Sequence, residues 1–242
     1  MTGLVASLKS LRFDGMLLAL ESMREQGELI APESERVLVR LVDAEAEHRR
    51  IVKSERLTKR ARFRYQAGLQ SVASGIDRNL DRTTLNRLAE NRWISQGQNI
   101  LITGPTGAGK SYLASALGKQ ACLHGYSTLY FNCNRLWAQL RQSRAKSAYE
   151  KELKRMAKAE LVILDDFGLM KLEPADRLSF LEILEDRWGK QSTVVVSQRP
   201  FAAWHEVLGE PTIADAICDR LFSNAEKIEL KGESMRMAPI KT

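Results

Sequence analysis

Residues 99–111 read Asn-Ile-Leu-Ile-Thr-Gly-Pro-Thr-Gly-Ala-Gly-Lys-Ser. The first five are a short, β-rich apolar run. The last eight, Gly104 to Ser111, match G-x-x-x-x-G-K-[ST] and lead into an amphipathic helical pattern. Strand, glycine loop and helix in that order have a physical meaning. The glycines let successive backbone N–H groups converge on phosphate oxygens, and the helix start adds the positive end of its dipole. Lys110 then meets the β- and γ-phosphates, and the Ser111 hydroxyl is expected to hold Mg²⁺. Contacts to ATP are expected along Gly104, Pro105, Thr106, Gly107, Ala108, Gly109, Lys110, Ser111 and Tyr112.

Working outward, the same alternation continues on the C-terminal side. Thr128–Asn132, Leu161–Asp165, Thr193–Ser197 and Lys227–Leu230 are further short apolar runs, separated by helical patterns at 110–123, 135–158, 175–188 and 212–222. Strands alternating with helices specify a parallel sheet covered on both faces, an α/β fold. On the N-terminal side, residues 4–26 and 33–62 read as helices, with Gly27 ending the first and Pro32 preceding the second. Residues 1–66 are therefore expected as a small all-α domain. Gly68, Ser71, Ser74 and Gly75 mark 67–81 as a linker, and 82–242 as the ATPase domain.

Two further strand ends carry candidate chemistry. Leu161-Val-Ile-Leu-Asp165-Asp166 ends in paired carboxylates, which beside a phosphate loop assign Asp165 to the metal and Asp166 to the attacking water. The polar end of Thr193–Ser197 places Gln198 to sense the γ-phosphate, with Ser197 as substitute; a plain polar loop start is the rival reading. Arg220, in the helical run IADAICDRL, reads either as a surface arginine or as a finger supplied to a neighbouring subunit's ATP. The catalytic set is thus Lys110, Asp165, Asp166, Gln198 and Arg220.

Charge narrows the partner. The chain of 242 residues carries a formal +7, yet residues 49–64 hold eight basic side chains against one acid, and 135–158 hold eight against two. Outside these two runs the chain is net acidic, so the basicity is concentrated, which suggests a polyanion such as nucleic acid. In the first run Arg49, Lys53, Arg56, Arg60 and Arg64 lie three or four apart, a stripe on one helix face, with Lys59 beside it. In the second, Tyr149, Leu153 and Met156 form an apolar stripe that turns Lys151, Lys154, Arg155 and Lys158 outward, with Arg144 and Lys146 just before. Such faces are often merely solvated; the spacing of Tyr149 and Trp137 favours core over base stacking. The three cysteines and three histidines are scattered without metal-ligand spacing, which fits a reducing cytosol. No run nears the roughly 20 apolar residues of a membrane span. A cytoplasmic protein is expected.

Taken together, the phosphate loop, the LVILDDFG segment, the SQRP strand end and the PTIADAICDRL helix resemble the AAA+ group of DnaC-type helicase loaders and IstB-type transposition helper ATPases. LVDAEAEHRRIVKSERLTKRARF and GESMR are most similar to the IstB type. The resemblance implies the AAA+ strand order, ATP-dependent homo-oligomers, non-sequence-specific binding of duplex DNA and cooperation with a cognate transposase. The alternative it leaves is a helicase loader; a metabolic P-loop kinase would leave both basic runs unexplained. It also implies departures: Asp166 is one methylene shorter than the usual glutamate. Only twelve residues follow Leu230, too few for a C-terminal helical lid, and Arg236 is a candidate substitute for a lid arginine.

Overall fold

The computed structural model describes residues 2–27 and 32–235. Two compact units emerge, Met1–Glu55 and Arg56–Thr242. In the first, the expected single helix over 4–26 is two, α1 (Thr2–Ser10) and α2 (Asp14–Glu25), because Arg12 takes a left-handed φ of 57° between them. Leu4, Leu8, Leu20 and Val42 form this unit's buried cluster. The next helix, α3 (Pro32–Ala61), starts at the proline and contains the division between the units.

The second unit begins inside the basic run. Leu57 and Ala61 are buried with Cys122, against Phe63. The stretch 67–81, which its glycines and serines mark as a linker, is packed instead: Ala67, Leu69, Val72 and Leu80 are buried in a core cluster. Its apolar residues lack a helical or strand period because the chain here is irregular apart from two single turns of 3₁₀-helix, Leu69–Ser71 and Ile76–Arg78. Helices α4 (Arg82–Ala89) and α5 (Arg92–Ser95) lead into the sheet.

Five parallel strands follow: β1 (Asn99–Thr103), β2 (Thr128–Asn132), β3 (Leu161–Phe167), β4 (Ser192–Ser197) and β5 (Ala225–Glu229), in the order β2-β3-β4-β1-β5. Alternate residues of each strand feed opposite faces, as the period of two requires. Ile100, Ile102, Ile163 and Val194 join the cluster that includes Leu113 and Leu117 of α6 (Lys110–Leu123). Leu101, Val162, Leu164 and Val195 join the cluster on the other face. That face is covered by α7 (Cys133–Ala145), α8 (Tyr149–Lys158), α9 (Pro174–Arg187), α10 (Trp204–Leu208) and α11 (Pro211–Phe222). The expected helix 135–158 is thus two, divided where Ser147 adopts φ 54°. Trp137 is core, packed on Phe180, and Tyr149 is half-buried. No helix follows β5 among the described residues, and Arg236 lies outside them. Among the described residues no helix is long and apolar enough to cross a membrane.

Candidate active site

The glycine loop leaves the carboxyl end of β1, the usual ligand-binding end of a parallel sheet. Gly104, Gly107 and Gly109 have φ of 142°, 85° and 90°. Only glycine takes such values without strain. At Gly104 a Cβ would also lie 2.3 Å from the Leu230 carbonyl oxygen, so the loop is seated directly against the end of β5. Two loop carbonyls are bound by other parts of the chain: Arg78 Nη2 donates to Ala108 O (2.6 Å), and the Met235 amide donates to Gly107 O (3.1 Å). Gly109 precedes α6 without any side-chain cap, so the first-turn N–H groups keep their capacity for an anion. Lys110 is buried, and its Nζ donates to the carbonyls of Gly104 and Pro105, both at 2.7 Å. The ammonium is thereby held inside the loop.

Strand β3 brings the two carboxylates beside it. Ser111 Oγ donates to Asp165 Oδ1 (2.9 Å), the Asp166 amide donates to the same oxygen (2.9 Å), and the Tyr130 hydroxyl donates to Oδ2. Asp165 is wholly buried, which those three donors make tolerable. Burial, then the Asp165 charge, raises the Tyr130 hydroxyl pKa above its ordinary value, so it stays a donor. The next residue departs from the strand: Asp166 has φ 61°, and the β3–β4 register shifts between Leu164 and Phe167. The kink turns Asp166 toward a cavity of about 270 Å³ shared with Thr106, Lys110, Ser111, Tyr112 and Gln198. Its Oδ2 accepts from Asn132 Nδ2 (2.8 Å) and from Arg64 Nη1 (2.9 Å).

The expected residues do not all converge. Gln198 does: its Oε1 accepts from Thr106 Oγ1 at 2.7 Å. Ser197 is buried and its hydroxyl donates to Phe167 O, so it faces the sheet. Arg220 sits by the other end of β1, where Asn99 Nδ2 donates to its carbonyl (3.2 Å). Its guanidinium donates to Glu185 (2.7 Å) and to Ala216 O (2.9 Å), so it does not reach the phosphate loop of its own chain.

The basic runs meet in a second concavity. A groove of about 980 Å³ is lined by Arg56, Lys59, Arg60, Arg62 and Arg64 from the first run and by Arg135 and Arg155 from the second, with no acidic residue among its lining. Arg64 is not on the helical stripe where its spacing put it. The helix stops at Ala61, Arg62 takes φ 56°, and Arg64 lies beyond that turn. Lys151, Lys154 and Lys158 are exposed on α8, with Leu153 and Met156 beneath them, as the apolar stripe requires. Lys53 and Lys146 are exposed as well. Arg144 instead turns to Tyr149, 3.9 Å over its ring, and to Ser179. Arg49, in the first unit, pairs with Glu45 (2.7 Å) and lies 4.7 Å over the Phe13 ring.

Three side chains of the site, two at the carboxylates and one at the phosphate loop, had no sequence signal of their own. Tyr130 and Asn132 belong to an ordinary strand, and only the parallel register that sets Asn132 beside Asp165 makes them neighbours of the site. Arg78 lies in the stretch with the composition of a linker.

The family model described as IstB-like ATP binding protein matches residues 6–241. An insertion sequence ATP-binding protein of Sinorhizobium fredii is 46% identical over 176 residues, 73% of this chain and 72% of its own. A second from the same organism is 42% identical over 80% of this chain and 78% of its own. The IS21 ATP-binding protein of Pseudomonas aeruginosa is 30% identical over 78% and 71%. Among solved structures, the DnaC helicase loader superposes with a TM-score of 0.58 at 19% identity, covering 69% of this chain and 98% of that one. DnaA bound to AMPPCP and single-stranded DNA gives 0.59 at 17%, covering 71% and 52%. These structural likenesses establish the AAA+ fold.

Proposed function

Because the chain belongs to the IstB-like ATP-binding protein family, we propose that it is the ATP-dependent helper of an insertion-sequence transposase. It assembles as a homo-oligomer on target duplex DNA with ATP bound, presents that DNA to its cognate transposase, and is reset by hydrolysis. The observation that carries the DNA half of this reading is the convergence of both basic runs on one acid-free groove. Seven cations spread along a concavity suit a phosphate backbone, which they position without reading bases. The outward lysines of α8 extend the same charge, and Lys53 and Arg49 lie along the first run.

ATP is the substrate of the other half. The loop amides and Lys110 grip the β- and γ-phosphates, and the uncapped start of α6 adds its dipole. Ser111 Oγ and Asp165 Oδ1, 2.9 Å apart, are hard oxygen donors that suit Mg²⁺, an ion that neutralises charge on the β- and γ-oxygens when bound. Asp166 projects into the same cavity and orients the attacking water as a hydrogen-bond acceptor. Gln198, tied to Thr106 of the loop, reports whether a γ-phosphate is present. Arg220, paired with Glu185 away from its own loop, is assigned the role of a finger in a neighbour's site, which makes turnover depend on assembly.

The experiment is equilibrium binding, with ATP and with ADP, to matched duplex and single-stranded oligonucleotides. Tighter ATP-state binding to duplex is expected. A clear preference for single strands would turn the reading to a helicase loader, and absence of ATP-dependent binding to either would overturn both.

A further inference from the structure

The turn over residues 75–80 holds one apolar side chain out beside the phosphate loop. Ile76 is 97% exposed, the most exposed large apolar residue among those described. Single apolar side chains at a surface are ordinary, but this one stands on a backbone fixed at several points. The Gly75 amide donates to Leu80 O (2.8 Å), the Leu80 amide donates to Gly75 O (3.4 Å), and Leu80 itself is buried. The turn is also tied to the nucleotide site. Arg78 Nη2 donates to Ala108 O, the Lys231 amide donates to Arg78 O (3.1 Å), and Asn79 Nδ2 donates to Glu229 O (2.9 Å). Ile76 is therefore a fixed knob at the carboxyl end of the sheet.

The other end of the sheet carries a socket. A cavity of about 290 Å³ opens at the amino ends of β1 and β4, where Asn99 and Thr193 line it. Leu184 and Trp188 give it apolar lining, Arg220 belongs to it, and no carboxylate does. Trp188 is 57% exposed, so its ring is open to a partner. We propose that Ile76 of one copy of this chain seats in the Trp188 cavity of the next copy, head to tail. This rests on the reading above, in which the chain forms homo-oligomers and Arg220 serves a neighbour's ATP.

The position of Arg220 selects a second copy as the occupant. Its guanidinium is held by Glu185 and Ala216 O, away from its own loop. Bringing it to a neighbouring phosphate loop brings the socket with it, onto the turn bonded to that loop. Knob and socket lie at opposite ends of the strands, so a chain cannot fill its own socket. Each copy in an array offers one of each to its neighbours. A contact of this kind is heterologous, and it repeats into a ring or a helix instead of stopping at a pair. Repetition suits an assembly that follows a duplex. The surfaces match chemically as well: an aliphatic side chain meets an indole and a leucine, and no carboxylate is stripped of water. Ile76 does not line the nucleotide cavity. It is a positioning residue that sets the register of the neighbour's Arg220 against the loop.

The test uses the full chain as wild type, Ile76→Asp, Ile76→Leu and Trp188→Ala. Assembly with ATP and a 30-base-pair duplex is followed by sedimentation velocity, and ATP affinity by titration. Ile76→Asp should raise the protein concentration needed for assembly about thirtyfold, the effect of one buried aliphatic side chain on an equilibrium. Trp188→Ala should weaken assembly in the same direction, and Ile76→Leu should stay within about threefold of wild type. ATP affinity of isolated subunits should not change in any of them, which misfolding would not allow. A second measurement reads the geometry. Ile76→Cys combined with Gln191→Cys, treated with a short bismaleimide in the ATP state, should give a ladder of multimers, while each single variant gives no more than wild type does. Dimers from Ile76→Cys alone would overturn the seat by showing knob against knob. A fall in ATP affinity in Ile76→Asp would overturn it by placing Ile76 at the nucleotide. Wild-type assembly by Ile76→Asp would overturn it, leave the helper reading standing and assign Ile76 to a different protein. Wild type that fails to assemble with ATP and duplex would overturn both.

Discussion

Two regions of this molecule are built for phosphate, and they use opposite means. The loop from Gly104 to Ser111 offers backbone amides, a helix start and one buried lysine already folded into it. The groove offers seven long side chains contributed by residues 56–64, 135 and 155. Backbone donors are fixed before the ligand arrives, so the loop suits one compact polyphosphate in one pose. Guanidinium and ammonium groups on flexible stems are solvated and screened, so the groove suits an extended polyanion at many positions. Arg187 shows what a structural arginine looks like by contrast. It is 1% exposed, and its guanidinium donates to the carbonyls of Met156, Ala159 and Ser192 and to the Thr193 hydroxyl. The groove arginines have no such enclosure: Arg64 and Arg155 each pair with carboxylates, yet both side chains stay more than a third exposed.

The contrast breaks first at Lys110. Lys110→Ala removes the loop's only ammonium and should weaken ATP by about 150-fold, or roughly 3 kcal/mol, with no measurable turnover. Isothermal titration with ATP checks this, and wild-type affinity would remove the loop from the account. The same change should leave ATP-independent duplex binding intact, since the groove lies elsewhere. Next in size is Arg220→Ala. A finger supplied in trans is worth on the order of a thousandfold in kcat, so turnover should collapse while isolated subunits still bind ATP. Mixing Arg220→Ala with Lys110→Ala protein should restore part of the activity. Proven co-assembly without recovery would argue against action across an interface.

Asp166→Asn should cost roughly a hundredfold in hydrolysis and leave nucleotide affinity nearly unchanged, trapping the ATP-bound assembly. Normal turnover in that variant would move the water-orienting role to another residue. Asp166 also marks how far the sequence can be read. The loop is contiguous, its spacing is fixed by the chain, and so both strand and helix around it follow from thirteen residues. The paired carboxylates sit at the end of an apolar run and are nearly as legible. What they touch is not. Asn132, Tyr130 and Arg64 meet them through strand register and through a left-handed turn at Arg62, neither of which leaves a local pattern. The same holds for the breaks at Arg12 and Ser147, where no glycine or proline announces the end of a helix. Residues 67–81 misled in the other direction, because turn-forming residues between irregularly spaced Leu69, Val72 and Leu80 look like exposed chain.

The smallest effect separates the groove from the open face of α8, two surfaces that a count of charges treats alike. Each phosphate neutralised on duplex contributes about 0.9 to the slope of log affinity against log salt. Alanine at Arg56, Arg60 and Arg135 removes three groove cations that lie on converging walls with no acid between them. If each meets a phosphate, the slope should fall by about 2.7. Alanine at Lys151, Lys154 and Lys158 removes three exposed charges from one outward face. That helix also carries Glu150 and Glu152 among its lysines, so the local field is weaker. The α8 slope should therefore fall by about 1, uniformly across sequences, because contacts to the backbone carry no base information. Salt titrations of both triple variants in the ATP state, on two duplexes of unrelated sequence, measure the difference. Equal falls would mean that DNA runs along the whole basic surface rather than through the groove. A larger fall for α8 would move the DNA path to that helix and leave the groove to another anion.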